Sequence, residues 1–143
     1  MVSDGYRLTT DFTMNKTFLI AASLLGVIAV ILGAFGAHGL QRITEDEKIL
    51  HGFQTAVQYQ FYHVLALLAV AIIFEKLPGS MIKWAGNCFI AGIILFSGSL
   101  YLITILKIQE SNAVKMVGPV TPAGGVFFIA GWLLLLTAVL KKN

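Results

Sequence analysis

Charge is scarce in this chain, and it is confined to a few places. Only 12% of the residues are charged, about half the share usual in a soluble domain. Four long stretches, residues 17–40, 53–74, 84–106 and 117–140, contain no Asp, Glu, Lys or Arg at all. All seven carboxylates lie outside them, so these stretches hold no carboxylate pair for general acid–base catalysis. Cysteine is nearly absent as well. Cys88 stands alone, which excludes an intramolecular disulfide and any Cys-x-x-Cys metal or redox motif, and it reads as a small buried apolar residue. A net charge of +3, with no basic run and no patterned aromatics outside the stretches, excludes a nucleic-acid surface. Neither a low-complexity segment nor a sustained repeat of about 20 to 50 residues is present.

What the chain has instead is hydrophobic length. Hydrophobic residues make up 57% of it, and each stretch runs 22 to 24 residues. At ~1.5 Å of rise per residue, such a helix matches a hydrocarbon core ~30 Å thick. The expected fold is all-α: a four-helix transmembrane bundle, up-down-up-down, with the short connections 41–52, 75–83 and 107–116. Residues 14–143 read as a single four-span membrane domain whose first partner is the lipid bilayer. The first stretch is too long for a signal-peptide core of ~7 to 15 residues, so it is expected to stay attached. Residues 1–13 are polar and lack helical periodicity, while Met14-Asn15-Lys16 precedes a span directly, so translation is expected to begin naturally at Met14.

An up-down-up-down path puts both termini on one side. Arg7, Lys16, Lys76, Lys83, Lys141 and Lys142 collect there, against Arg42, Lys48, Lys107 and Lys115 on the other side. The positive-inside rule then predicts cytoplasmic termini. In the first connection, Glu45, Asp46 and Glu47 read as a solvated cap, and Thr44 with Glu47 fits a capping box opening a short helical stretch. Trp84 fits an interfacial anchor, and Trp132, mid-span, reads as packing within the bundle or against lipid.

Polar side chains are not spread evenly along the spans. His38, Gln54, Gln58, Tyr59, Gln60, His63, Ser97, Ser99, Tyr101, Thr104 and Thr121 gather toward the end opposite the termini. Turned at 100° per residue, Gln54, Gln58 and Tyr62 share one face with His51, while Tyr59 and His63 lie on another. Polar groups in hydrocarbon need partners, so these side chains should meet neighbouring helices, water or a partner subunit. Two accounts compete: interhelical hydrogen bonding, or a polar pocket open to the far side. His63 sits roughly 15 Å into its span. Its structural reading is a hydrogen bond to Tyr101 or Ser97; its functional reading is a metal, proton or cofactor site. His38 lies at a different depth and His51 in a connection, so the histidines show no metal-ligand spacing.

Close helix packing is expected at Ala29, Gly33 and Ala37, a small-xxx-small row flanked by Gly36, and again at Gly124 and Gly125. Gly118-Pro119-Val120-Thr121-Pro122 fits either a non-helical approach to the fourth span or a plain helix start with Pro in its first turn.

Four motifs in order carry a family likeness: Gly33-Ala34-Phe35-Gly36-Ala37-His38-Gly39-Leu40, Thr55-Ala56-Val57-Gln58-Tyr59-Gln60-Phe61-Tyr62-His63, Leu95-Phe96-Ser97-Gly98-Ser99-Leu100-Tyr101, and Thr121-Pro122-Ala123-Gly124-Gly125 with Gly131-Trp132. Over residues 14–140 the chain resembles the small bacterial membrane proteins of domain of unknown function family 423, to which the eukaryotic transmembrane protein 256 proteins are similar. The resemblance implies a four-span protein of the bacterial inner membrane with no assigned activity. It carries over no catalytic, metal or cofactor residues.

The leading functional expectation is a non-enzymatic accessory, assembly or self-associating bundle protein, as a homo-oligomer or within a larger membrane complex. No nucleophile has an adjacent base, and the serines of Ser97-Gly98-Ser99 lack activating context. The alternative is a component for passage of a small molecule, proton or ion, or a haem, quinone or metal binder, built around His63.

Overall fold

The computed structural model describes residues 14–77 and 79–141; the expected polar extension 1–13 lies outside the described residues. The helices are α1 (Lys16–His38), α2 (Glu47–Ile73), α3 (Ser80–Gly92), α4 (Gly98–Ile108), α5 (Val114–Val117) and α6 (Val120–Leu140). A 3-10 turn at Leu40–Arg42 follows α1, and a π turn at Ile93–Ser97 fuses α3 and α4 into one rod. Four rods, Lys16–Arg42, Glu47–Ile73, Ser80–Ile108 and Val114–Leu140, are long and apolar enough to cross a membrane. The all-α four-helix bundle of the sequence reading is what the chain forms.

Local chemistry explains where the helices begin. The Asn15 side chain accepts from Phe18 N at 3.0 Å and caps α1, while the Asn15 backbone N–H bonds Ala71 O, pinning the start of α1 to the end of α2. At α2 the cap is Asp46, whose Oδ1 accepts from Lys48 N at 2.8 Å and from Ile49 N at 3.4 Å. Thr44 Oγ1 instead accepts from Asp46 N, so the expected Thr44–Glu47 capping box is replaced by an Asp46 cap. The consequence is a longer helix: α2 starts six residues before residue 53, and His51 belongs to it rather than to a connection. At the fourth span the plain helix start is the one adopted. One helical turn, α5, leads to Pro119 as N-cap of α6, and Pro122 falls in the first turn, where its missing N–H has no helical partner to lose.

The rods are not equally enclosed. In its most apolar window α2 is 44% buried, against 17% for α1 and for α6. α1 lies chiefly along α2, α6 chiefly along α3 and the π turn, and α2 also meets α3 and α4. Phe18, Leu67, Val70, Ile82, Phe89, Ile93 and Phe128 form the shared core. Ile20, Leu24, Val27, Ile31, Ile129, Leu133 and Leu136 stay exposed on α1 and α6, the outward apolar surface expected where lipid replaces water as solvent.

Candidate functional site

The sequence-flagged polar side chains separate into a buried set and an exposed set. Ser97, Ser99 and His63 are buried, Tyr101 and Thr121 half-buried, and His38, Gln54, Gln58 and Tyr59 exposed. The fold does not bring all of them into one site.

The buried set is organised by two residues of α2. Gln60, 2% exposed, donates from Nε2 to Leu25 O of α1 at 2.8 Å, and its Oε1 accepts the Tyr101 hydroxyl of α4 at 2.9 Å. One amide thereby ties three helices together. His63 faces α6 rather than α4. Its ring lies flat on Phe128, centroids 3.4 Å apart and planes 8° from parallel. Trp132 Nε1–H can only donate, and it reaches His63 Nε2 at 3.4 Å; the Nδ1–H then donates to Tyr59 O at 2.8 Å. Both ring nitrogens are engaged, which fixes the Nδ1–H tautomer. The partners expected for His63, Tyr101 and Ser97, are thus not the ones it takes. Tyr101 bonds Gln60, one turn away, which points toward α4. Trp132 serves both purposes proposed for it, donating inward while 49% exposed.

A third pin lies between α4 and α6, where Ser99 Oγ and Thr121 Oγ1 share a hydrogen bond of 2.6 Å. It belongs to a regular antiparallel register. Going along the seam, Phe89 covers Gly131, Phe128 covers Gly92, Gly124 lies against the Phe96 backbone, and Ser99 meets Thr121. Both helices thus present contact residues at spacings of three, four and three, with Phe facing Gly. Gly124 was anticipated as a packing residue, whereas Gly92, Gly131 and their phenylalanines were not, although the matching spacings Phe89-x2-Gly92-x3-Phe96-x2-Ser99 and Thr121-x2-Gly124-x3-Phe128-x2-Gly131 stood in the sequence. Gly125 lies beside the Phe96 ring at ordinary contact distance.

On α1 the small residues behave differently. Ala29 is buried, and Gly36 is buried under Phe53, but Gly33 is half-buried and Ala37 exposed. The face toward α2 runs through Ala22, Gly26, Ala29, Gly33 and Gly36, with Gly26 against Val64 and Gly33 against Val57, while Ala37 lies exposed beside it. Gly33 and Ala37 also open on a notch of about 160 Å³ shared with Gly36, Phe53, Val57 and the exposed Gln54 and Gln58. A second, apolar cleft of about 270 Å³ runs between the end of α1 and α4, bordered by Phe35, Leu40, Phe53, Tyr101 and Ile108.

Ser97, in the π turn, is fully buried, and its hydroxyl makes no hydrogen bond among the described residues. His38 and His51 are exposed whereas His63 is enclosed, and among the described residues no three His, Cys, Asp or Glu side chains converge.

A family model described as "Protein of unknown function (DUF423)" matches residues 32–125. The chain belongs to the DUF423 family. Among its relatives, the UPF0382 membrane protein YwdK of Bacillus subtilis is 42% identical over 88% of this chain and 98% of its own length. The UPF0382 membrane protein SAB0533 of Staphylococcus aureus is 44% identical over 88% of the chain and 97% of itself. The UPF0382 inner membrane protein YgdD of Escherichia coli is 35% identical over 89% and 92%. No solved structure matches the chain. The DUF423 match contains Gln60, His63, Tyr101, Ser99 and Thr121, and with it the chain is established as a multi-pass membrane protein of an uncharacterised family. Chemically, Gln60, Tyr101, His63, Trp132, Ser99 and Thr121 are arranged to hold helices: their side-chain bonds to one another and to Leu25 join separate helices, the His63–Tyr59 bond orients the ring within α2, and the buried Thr104 bonds Leu100 O of its own helix.

Proposed function

We propose that this DUF423 protein is a non-enzymatic accessory or assembly bundle of the bacterial inner membrane, its termini on the cytoplasmic side. The observation that carries this reading is the engagement of His63. The one histidine buried within the spans has Phe128 across one face and a hydrogen-bond partner at each nitrogen, so neither lone pair nor proton is presented to a ligand. Gln60 and Tyr101 are likewise used on each other and on α1. The inner-membrane assignment draws support from the name of the Escherichia coli relative. The orientation rests on the six cations of the terminal side against four on the other.

The test is native mass spectrometry with an absorption spectrum of protein gently extracted from its own membrane. The accessory reading expects a protomer, oligomer or protein complex without colour or small-molecule mass. Bound mass or colour that disappears in His63→Ala would replace this reading with a cofactor or ligand binder, the alternative raised by the polar end of the bundle.

A further inference from the structure

Gln54 and Gln58 are exposed on α2, the most enclosed of the four rods. They lie seven and eleven residues beyond Glu47, the first residue of α2, or about 10 and 16 Å along the axis. With a 27-residue rod of about 40 Å set across a hydrocarbon core of ~30 Å, both amides fall inside the core. Neither makes a hydrogen bond among the described residues, and Tyr62, one turn further on the same face, is 58% exposed. An amide facing acyl chains gives up hydrogen bonds to water and gains none from lipid. This face is polar where its surroundings are apolar, and it is concave, because Gly33 and Ala37 of the adjacent α1 leave the notch beside the two glutamines.

We propose that a second copy of this chain docks on the Gln54–Gln58–Tyr62 face of α2, amide against amide. The choice of occupant follows from the chemistry of the amide. Glutamine carries an acceptor and two donors on one group, so identical rows satisfy each other across a two-fold axis along the membrane normal. No Asp, Glu, Lys or Arg lies on this stretch of α2 to call for a partner of opposite charge. The small residues of α1 allow the partner helix to sit in the notch, a close approach that favours interhelical hydrogen bonds in lipid. This inference deepens the assembly reading of the previous section by naming the partner, and it rests on that reading.

The experiment uses the full chain in vesicles of phosphatidylethanolamine and phosphatidylglycerol. In a Cys88→Ser background, Tyr62→Cys leaves both amides in place and is expected to cross-link on oxidation to a species of twice the protomer mass; Ile129→Cys, on the exposed side of α6, is expected not to. Association, followed by energy transfer between labelled protomers, should weaken about tenfold in the double variant Q54L/Q58L, and be largely kept in Q54N/Q58N. Unchanged helix content by circular dichroism shows that the variants remain folded. Cross-linking at Ile129→Cys in place of Tyr62→Cys, or association indifferent to Q54L/Q58L, overturns the proposal. So does a wild-type protomer that stays monomeric or pairs through this face with a different polypeptide. Those results leave the non-enzymatic reading standing, since that reading falls only to bound mass or colour that depends on His63.

Discussion

Between α3–α4 and α6, a Cβ placed on Gly124 would fall onto the backbone N of Phe96 and come within 2.7 Å of its Cα, whereas one placed on Gly33 of α1 would touch Val57 Cγ1 at 3.4 Å. Glycine is common to both seams, but its reason differs. Along α6 the missing side chain lets two backbones touch and lets two phenylalanines bed into the opposite helix. Along α1, Gly26 and Gly33 face the ends of valine side chains at ordinary contact distance and would accept a methyl; Gly36 alone on this seam is tight, and what a Cβ there would meet at 2.9 Å is the Phe53 ring, a side chain rather than backbone. The α3–α6 seam is therefore the rigid unit of the bundle. The α1–α2 seam is held by side-chain packing and by the Gln60 and Asn15 bonds.

The strongest attack on this contrast is Gly124→Ala. Its methyl meets backbone atoms of Leu95 and Phe96, which cannot rotate away, so α6 must move off the π turn. The expected cost is about 3 kcal/mol, the upper part of the range for overpacked cores, read as lowered resistance to unfolding in mixed micelles. Gly131→Ala comes next. Here the neighbour is the Phe89 ring at 2.7 and 2.8 Å, a side chain that can yield, so about 1–2 kcal/mol is expected. Combining it with Phe89→Leu should recover part of that loss, a coupling that independent sites would not show. A third change sharpens the other side of the comparison. Gln60→Leu removes one bond to α1 and leaves the Tyr101 hydroxyl unpartnered. About 1 kcal/mol is expected, near the scale measured for hydrogen bonds between membrane helices. In a Tyr101→Phe background the loss should shrink, as a double-mutant cycle would register.

Much of this was legible in the sequence because lipid imposes a simple rule on chain composition. Four uncharged stretches of spanning length leave helices as the one way to satisfy their backbone. The polar end was legible too, since Gln58, Tyr59, His63, Ser97, Ser99 and Tyr101 recur at helical spacing. What composition could not supply was the pairing between helices. His63 and Tyr101 lay at plausible depths for each other, but helix rotation turned His63 onto Phe128 and left Tyr101 to Gln60. The π turn was also out of reach, because Ile93–Ser97 is as apolar and as helical in pattern as its flanks. The α2 boundary was misplaced for a plainer reason. Lys48 and His51 look like loop residues by hydropathy, yet the Asp46 cap starts the helix before them.

The mildest change on the comparison is the most discriminating in sign. Gly26 is half-buried within α1, and a Cβ there would meet Val64 Cγ1 at 3.5 Å, normal van der Waals distance. No clash opposes the substitution. In Gly26→Ala the added methyl would gain contact with Val64, and alanine loses less backbone entropy than glycine when held in a helix, a difference of up to about 1 kcal/mol in water. Stability should therefore stay level or rise by a few tenths of a kcal/mol, in the same micelle unfolding measurement that shows Gly124→Ala losing about 3 kcal/mol. A loss comparable to that of Gly124→Ala would mean that the α1–α2 seam also depends on backbone contact, and the division into one rigid and one adaptable seam would have to be given up.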